Sequence, residues 1–532
     1  MRSILTNGKI YVEKGDFKEA LLIEDGMIVE VGLAQDFMST PSDRVIDLEG
    51  RTVLPGLNDS HLHIASVGSA MNSCNLNPAR SIDDIVRIGQ EFLQNNPELP
   101  ALNGRGWNQD YFVSGEKRML TRADLDRIST SIPIVFTRVC GHMATGNTKA
   151  IEMLSVDENT YVDGGVIELD EGRKPNGVFC ENAISLLNTV IPAKTDEDIE
   201  AEILKASEYA ISVGLTSVQS CDISKEDQAR MFGIFHRIYN ENKTKLRYSH
   251  QFNFQDIIDF QDYLDTEFKS TDYDDRFLSK GALKLFVDGS LGARTALMLK
   301  EYDDEEGTLG VQVLSDEDLY DICELASRNG ITVVTHAIGD GAIDVIIDAY
   351  EKTMKDGENP LRHGIVHCQI TSKEQLERIA NLNIAVMYQP IFLDYDMNIV
   401  ESRVGEELAS TSYAFNSLYK LGANISFGTD SPVEDLNPWN NLHCAVTRTG
   451  LDGEPEGGFY PEEKMDISDA IDCYTYGSAY NEFKEDFKGR LKAGFAADLI
   501  VLDRDIFSID PSEIKEVQVQ KTMINGEFVF ER

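Results

Sequence analysis

A (β/α)8 barrel of the TIM type, with a small β-sandwich built from both chain ends, is the α/β fold that this 532-residue sequence predicts. Three observations predict it. Strand-like and helix-like segments alternate from about residue 197 to residue 430. The strands among them are nearly continuous apolar runs, as in a parallel sheet covered by helices. Both chain ends read instead as short strands with tight turns, and neither is long enough to bury both faces of a sheet alone.

Taken in order, residues 10–12, 20–23 and 27–31 are β-type runs, with Asn7-Gly8 and Asp25-Gly26 as hairpin signals. At the other end, residues 498–502 and 518–524 are strands, and Asn525-Gly526 turns the chain into residues 527–530. Pairing residues 1–52 with 488–532 makes one sandwich, leaving residues 53–487 as the barrel inserted between them. The apolar run from Val53 is the first barrel strand and delivers His61 and His63. About residues 66–196 then precede the second strand, far more than an ordinary loop. They contain a helix near residues 82–93 and a strand at 134–137, so they read as a large inserted cap subdomain.

The segment 197–213 has helical spacing and stops at Gly214, and strand 215–220 follows. Residues 246–250 and 281–287 are further strands. Ser315 and Asp318 start a helix that Gly330 ends. Residues 331–335 deliver His336, and 364–366 deliver His367. Thr371 and Glu374 open another helix. Residues 384–388 form a strand, and 424–429 deliver Asp430. With the first strand, about eight parallel strands result, the number that closes a barrel.

The chain carries 91 acidic and 49 basic residues, a formal net charge of −42. That argues against nucleic acid and anionic membranes as partners, since both need basic patches. The expected partner is a small-molecule substrate. Eight scattered cysteines with no CxxC pair fit reduced thiols. The N-terminus shows no secretory h-region, and no apolar window suffices to span a bilayer. The cytoplasm is the expected location, and a homodimer is the base-rate expectation for assembly.

His61 and His63 lie two apart, so on a strand they point the same way. Neutral imidazole is the commonest protein ligand of zinc-like metals. In a barrel, residues at the C-terminal ends of strands share one mouth. The residues so placed are His61, His63, Lys284, His336, His367 and Asp430. Singly, each reads as well as a core histidine or a strand-capping acid. Their common place at the tops of successive strands is what points to a metal site.

Several stretches carry a family resemblance. Pro55-Gly56-Leu57-Asn58-Asp59-Ser60-His61-Leu62-His63, the segment from Lys284 through Asp288 and Gly289 to Ala296, Thr335-His336-Ala337, Val366-His367-Cys368-Gln369, Gly428-Thr429-Asp430-Ser431-Pro432 and Gly494 to Leu502 resemble the amidohydrolase superfamily. Within it they resemble the YtcJ-like group (amidohydrolase family 3), which includes N-substituted formamide deformylases. The likeness spans essentially the whole chain. It departs at Val366, where the family leads one to expect a glutamate that supports the following histidine.

The resemblance implies a centre of two divalent metals, with zinc favoured. His61, His63 and Asp430 would hold one metal and His336 and His367 the other, with Lys284 carboxylated to bridge them. A plain ammonium would repel cations; the alternative is an uncarboxylated Lys284 and one metal. The implied reaction is hydrolysis of a non-peptide carbon–nitrogen bond by hydroxide bridging the metals, with Asp430 also acting as acid and base. His142 matches a family loop and would stabilise an oxyanion or bind an acidic substrate group; it reads equally as a surface histidine. Trp107 and Arg294 are further substrate-binding candidates, against readings as a core residue and as a brace for the loop after Asp288. Glu181 lies in a family-like stretch and receives no role. His236, His250, His363 and His443 read as structural. The rival functions are a mononuclear deaminase, an esterase or lactonase on the same barrel, and a non-catalytic scaffold.

Overall fold

The computed structural model describes residues 1–138, 143–162, 164–270, 273–354 and 357–532. The chain divides into two compact units, residues 1–67 with 204–532, and residues 68–203.

The first unit contains the barrel and the sandwich. Eight parallel strands follow one another in sheet order: β1 (Leu57–Leu62), β2 (Leu215–Ser224), β3 (Arg247–Asn253), β4 (Leu283–Phe286), β5 (Val333–Ala337), β6 (Gly364–His367), β7 (Ala385–Tyr388) and β8 (Ile425–Phe427). Helices follow the strands, as a parallel connection demands. The helix Asp196–Ser212 ends before Gly214, whose φ of 100° suits a residue without a side chain. Ser315 caps Asp316–Arg328 by accepting from the Asp318 N–H. The next cap is Ser372, not Thr371; it forms a reciprocal capping box with Gln375, so the helix is Lys373–Asn381.

The β8 edge meets β1 without a ladder among the described residues. The Asp430 N–H donates to the His61 carbonyl (2.8 Å), and the His63 N–H donates to the Ser431 carbonyl (2.9 Å). Asp59 completes the seam. Its carboxylate accepts from the Thr429 N–H (3.0 Å), the Thr429 hydroxyl (2.8 Å) and the His61 N–H (3.1 Å). Gly428 permits this approach, since a Cβ there would stand 2.7 Å from the His61 nitrogen.

The sandwich pairs a four-stranded sheet from the N-terminal end with a six-stranded sheet. The latter joins Lys9–Glu13, Asp16–Lys18 and Thr52–Pro55 to Leu499–Leu502, Val519–Ile524 and Glu527–Glu531. One core holds Leu5, Leu21, Ile10 and Val53 together with Leu499, Val501 and Met523, so each chain end supplies apolar surface that the other covers. The Asp25-Gly26 and Asn525-Gly526 dipeptides form true hairpin turns, with positive φ at both residues of each.

Two expectations are corrected here. Asn7-Gly8 makes no hairpin: Arg2–Thr6 belongs to the four-stranded sheet and Lys9–Glu13 to the six-stranded one, so the turn carries the chain across the sandwich. Val53, Leu54 and Pro55 belong to the sandwich, antiparallel to Leu499–Leu502, and the barrel begins at Leu57. Pro55-Gly56 breaks the apolar run between the two sheets; a Cβ on Gly56 would lie 2.2 Å from the Thr216 hydroxyl. At the N-terminal end of β3, the buried Arg247 guanidinium pairs with Asp498 of the sandwich through two bonds (2.6 and 3.0 Å). Removing one partner of such a pair costs about 3–5 kcal/mol.

The second unit, residues 68–203, is a six-stranded mixed sheet with its own helices. The helix Ile82–Asn95 starts at Ser81, which accepts from the Asp84 N–H. The insertion expected at 66–196 thus forms a body with two apolar clusters of its own. No helix among the described residues is long and apolar enough to cross a membrane.

Candidate metal centre

His61 sits near the end of β1, and His63 immediately follows it. Asp430 lies three residues past β8, with a φ of +54° that is uncommon for a side chain of this size. His367 closes β6 at φ +78°. Such backbone is strained by roughly 1–3 kcal/mol and is held by its surroundings.

His61, His63 and Asp430 each offer a ligand atom, all within 4.8 Å of one another. The His61 and His63 Nε2 atoms lie 3.4 and 3.2 Å from Asp430 Oδ1. The His367 Nε2 lies 4.0 Å from Asp430 Oδ2, and the His336 and His367 rings are 4.5 Å apart. His336 Nε2 is 3.0 Å from the Gly289 carbonyl and 3.3 Å from Asp288 Oδ1. Lys284 is fully buried on β4. Its amine donates to the Leu285 carbonyl (3.3 Å) and lies 3.6 Å from the Phe286 ring centre.

The other ring nitrogens are fixed from behind. Nδ1 of His61 donates to Gln251 Oε1 (2.6 Å), Nδ1 of His63 to the Cys221 carbonyl (2.6 Å) and Nδ1 of His367 to Gln389 Oε1 (2.7 Å). Each glutamine's amide N–H donates to a main-chain carbonyl, Ser60 or Met387, which sets its orientation. A neutral imidazole with Nδ1–H so engaged turns the Nε2 lone pair inward. While both rings are neutral, lone pairs of His61 and His63 therefore meet a carboxylate oxygen, acceptors converging with no donor among them. Only a proton or a cation reconciles that arrangement, so the donor set fits a divalent metal.

The electrostatics express the same fact. Burial works to raise the Asp430 carboxyl, but the His61 and His63 hydrogen bonds prevail and hold it well below the usual range. Burial works against protonation of His63 too, yet Asp430 and the Cys221 side chain push it well above its ordinary value. For His61, desolvation wins over Asp430, and its pKa falls to about 4. Desolvation and the neighbouring His336 drive His367 well below 6.5. Burial lowers the Lys284 ammonium to about 8, favouring the neutral amine that can react with carbon dioxide.

The six ligand candidates thus gather at one mouth, but not equally. His142 lies outside the described residues. Trp107 is not a pocket wall: it has no exposed surface, belongs to the core of residues 68–203, and its indole N–H points to the Phe136 carbonyl (3.4 Å). Arg294 is a brace, with its guanidinium on both oxygens of Asp304 (3.0 and 2.8 Å) and close to Glu305 (3.2 Å). Val366 fills an apolar layer with Ala282, Val334 and Met387, so the support expected of a glutamate there is absent and Gln389 orients His367 instead. His363 is structural: it accepts from the Val333 N–H (3.0 Å) and contacts Ser327 (3.1 Å).

Sequence reasoning missed Gln251, Gln389, Asp288 and Asp222. Asp288 accepts from the N–H groups of Leu297, Ile338 and Gly339 beside His336. Asp222 accepts from the Ala65 N–H, Tyr248 and Ser220, steadying the turn after His63. The two glutamines stand near or just beyond the C-terminal ends of β3 and β7, so the strand-end rule that pointed to the ligand candidates also contains them.

A family profile described as the amidohydrolase family matches residues 44–530. The chain belongs to the amidohydrolase family. This amidohydrolase is 31% identical to YtcJ of Bacillus subtilis over the full length of both chains. It is 27% identical to an N-substituted formamide deformylase of Arthrobacter pascens, covering 97% of this chain and 95% of the other. A metal-dependent hydrolase from Pyrococcus horikoshii superposes on it with a TM-score of 0.79 at 30% identity, over 96% of this chain and 99% of that one.

Proposed function

We propose that this amidohydrolase cleaves a non-peptide carbon–nitrogen bond in a small-molecule amide, using water activated at a centre of two divalent metals. Family membership supports a hydrolase, and the metal-dependent Pyrococcus relative supports a divalent metal. The single observation carrying the reading is the convergence of His61, His63 and Asp430 within 4.8 Å, with their lone pairs facing one another. The similarity to a formamide deformylase favours N-formyl and N-acyl amines as substrates. Zinc suits the nitrogen and oxygen donors.

His61 and His63 would hold one metal with Asp430, and His336 and His367 the second, with Lys284 as a bridging carbamate. When bound, the metals supply Lewis-acid polarisation of the substrate carbonyl and acidify water. Asp430 accepts the proton of the attacking water. A carboxylate is a far weaker base than the departing amine, so the proton passes on to nitrogen. The carbon–nitrogen bond breaks, a carbon–oxygen bond replaces it, and a carboxylic acid and an amine leave.

The test is metal-loaded protein assayed on N-formyl and N-acyl amines beside matched esters, with Lys284→Ala and chelated protein as controls. Amide hydrolysis that disappears on chelation is expected; esters turned over while amides are untouched would overturn the carbon–nitrogen reading. A second reading, one metal in a deaminase-type site, has an observation of its own, because His61, His63 and Asp430 are the only such cluster among the described residues. Two metal equivalents per chain by elemental analysis would reject it.

A further inference from the structure

Two aromatic rings beside the metal centre take no part in ligation or proton transfer. Phe286 is the last residue of β4 and lies two beyond Lys284, so it shares that residue's face of the strand and stands at the mouth. Its ring centre is 3.6 Å from the Lys284 amine and 5.4 Å from the His336 ring. Phe392 ends the turn Pro390–Phe392 that follows β7, and its ring stacks on His367 at 5.7 Å with 13° between the planes. Each phenylalanine thus packs against a different candidate ligand of the second metal. Leu285 and Ile391, their neighbours in sequence, are buried, whereas both phenylalanines keep accessible surface.

The segment after β7 also reaches the loop after β4. Exposed Tyr395, three residues beyond Phe392, brings its ring within 4.0 Å of where a Cβ on Gly292 would stand. Arg403 donates to the Gly292 carbonyl (3.2 Å). These contacts pass across β5 and β6, whose ends bear His336 and His367. The arginines of the two segments, Arg294 and Arg403, are both held by Asp304. This side of the mouth therefore presents aromatic surface, with its guanidinium groups engaged elsewhere. Open aromatic faces and edges beside a reacting centre suit an apolar group, and another ring above all.

Resting on the amide-hydrolase reading above, we propose that Phe286 and Phe392 determine specificity, Phe392 receiving an apolar substituent of the leaving amine and Phe286 an apolar acyl group. Asp430 sets the assignment. On that reading it delivers the proton to the departing nitrogen, and His367 lies 4.0 Å from it, so the ring stacked on His367 is at the amine end. Phe286 adjoins His336, which meets Asp288 instead, and so faces the acyl end. Metal-loaded protein is assayed on N-acetyl amines from methylamine to benzylamine, and on N-benzyl amides from acetyl to butanoyl. The value of kcat/KM should rise about tenfold from methyl to benzyl; Phe392→Ala should remove most of that rise, through KM, and spare the acyl series. Phe286→Ala should lower the butanoyl-to-acetyl ratio and spare the amine series. A ratio that its own variant leaves unchanged overturns the proposal. So does a loss equal across all substrates or a fall in metal content, either of which would make the rings mere packing for the histidines. If an alanine variant does not fold, the leucine variant at that position is read in the same way. Esters cleaved in place of amides would overturn only the carbon–nitrogen reading, and the same ratios are then taken on matched esters; cleavage of neither overturns both.

Discussion

On the β1 and β8 side of the mouth, two imidazoles and a carboxylate already lie within 4.8 Å of one another. On the β4, β5 and β6 side, His336 faces the Gly289 carbonyl and Lys284 the Leu285 carbonyl, while His367 reaches Asp430 at 4.0 Å. The difference follows from which donors are charged. On the first side the Asp430 carboxylate stands between two histidines, whereas on the second the Asp288 carboxylate lies beside His336. The second side has a lysine, which cannot attract a cation until it is carboxylated. One side is thus assembled by the fold alone, and on the proposed reading the other would be completed by carboxylation of Lys284.

The largest effect that would break this comparison is expected from Asp430→Asn. It removes the anion of the first side and the proposed proton carrier, so kcat/KM for amide hydrolysis should fall by about 10⁴-fold. Retained turnover would show that Asp430 has neither role. Lys284→Ala should cost about 100-fold and lower the metal content from two equivalents to one, measured by elemental analysis. If both equivalents stay, the second side needs no carbamate. Finer resolution comes from the glutamines. Gln251→Leu frees His61 and Gln389→Leu frees His367, and each should weaken one metal equivalent by about 10–100-fold in chelator competition, the first equivalent and the second respectively. Equal weakening of both would mean that the sides are not separable. The smallest effect belongs to Arg294→Ala, which loosens the loop bearing Asp288 and Gly289. Its partly exposed ion pairs contribute less than about 1 kcal/mol, so kcat should fall a few-fold with KM unchanged. A raised KM confined to acidic substrates would instead make Arg294 a substrate contact.

The candidate ligands stood out in the sequence because two independent signals coincide on them: metal-binding residue types, and the C-terminal ends of apolar strands. Gln251 and Gln389 satisfy only the second signal, and an amide side chain is too common to stand out by type. Trp107 read as a substrate-binding candidate or as a core residue, and the choice depends on packing within residues 68–203. The sandwich was legible from Asp25-Gly26 and Asn525-Gly526, whose hairpins are local. Asn7-Gly8 has the same dipeptide chemistry yet crosses between sheets, because a turn signal reports chain reversal and not the strand that receives it. Val53 to Pro55 went to the wrong sheet for a related reason: an apolar run announces burial without saying in which layer.

The join between β8 and β1 carries one more lesson. Seven neighbouring strand pairs of the barrel are joined by ladders, while the last is fastened by Asp59 and two main-chain bonds, and those bonds are made by His61, His63, Asp430 and Ser431 themselves. A cation gripped by His61, His63 and Asp430 would therefore rivet the one unzipped edge of the cylinder. Demetallation and fraying of this edge become the same event seen from two directions, and a stabilised edge would slow the escape of the ion.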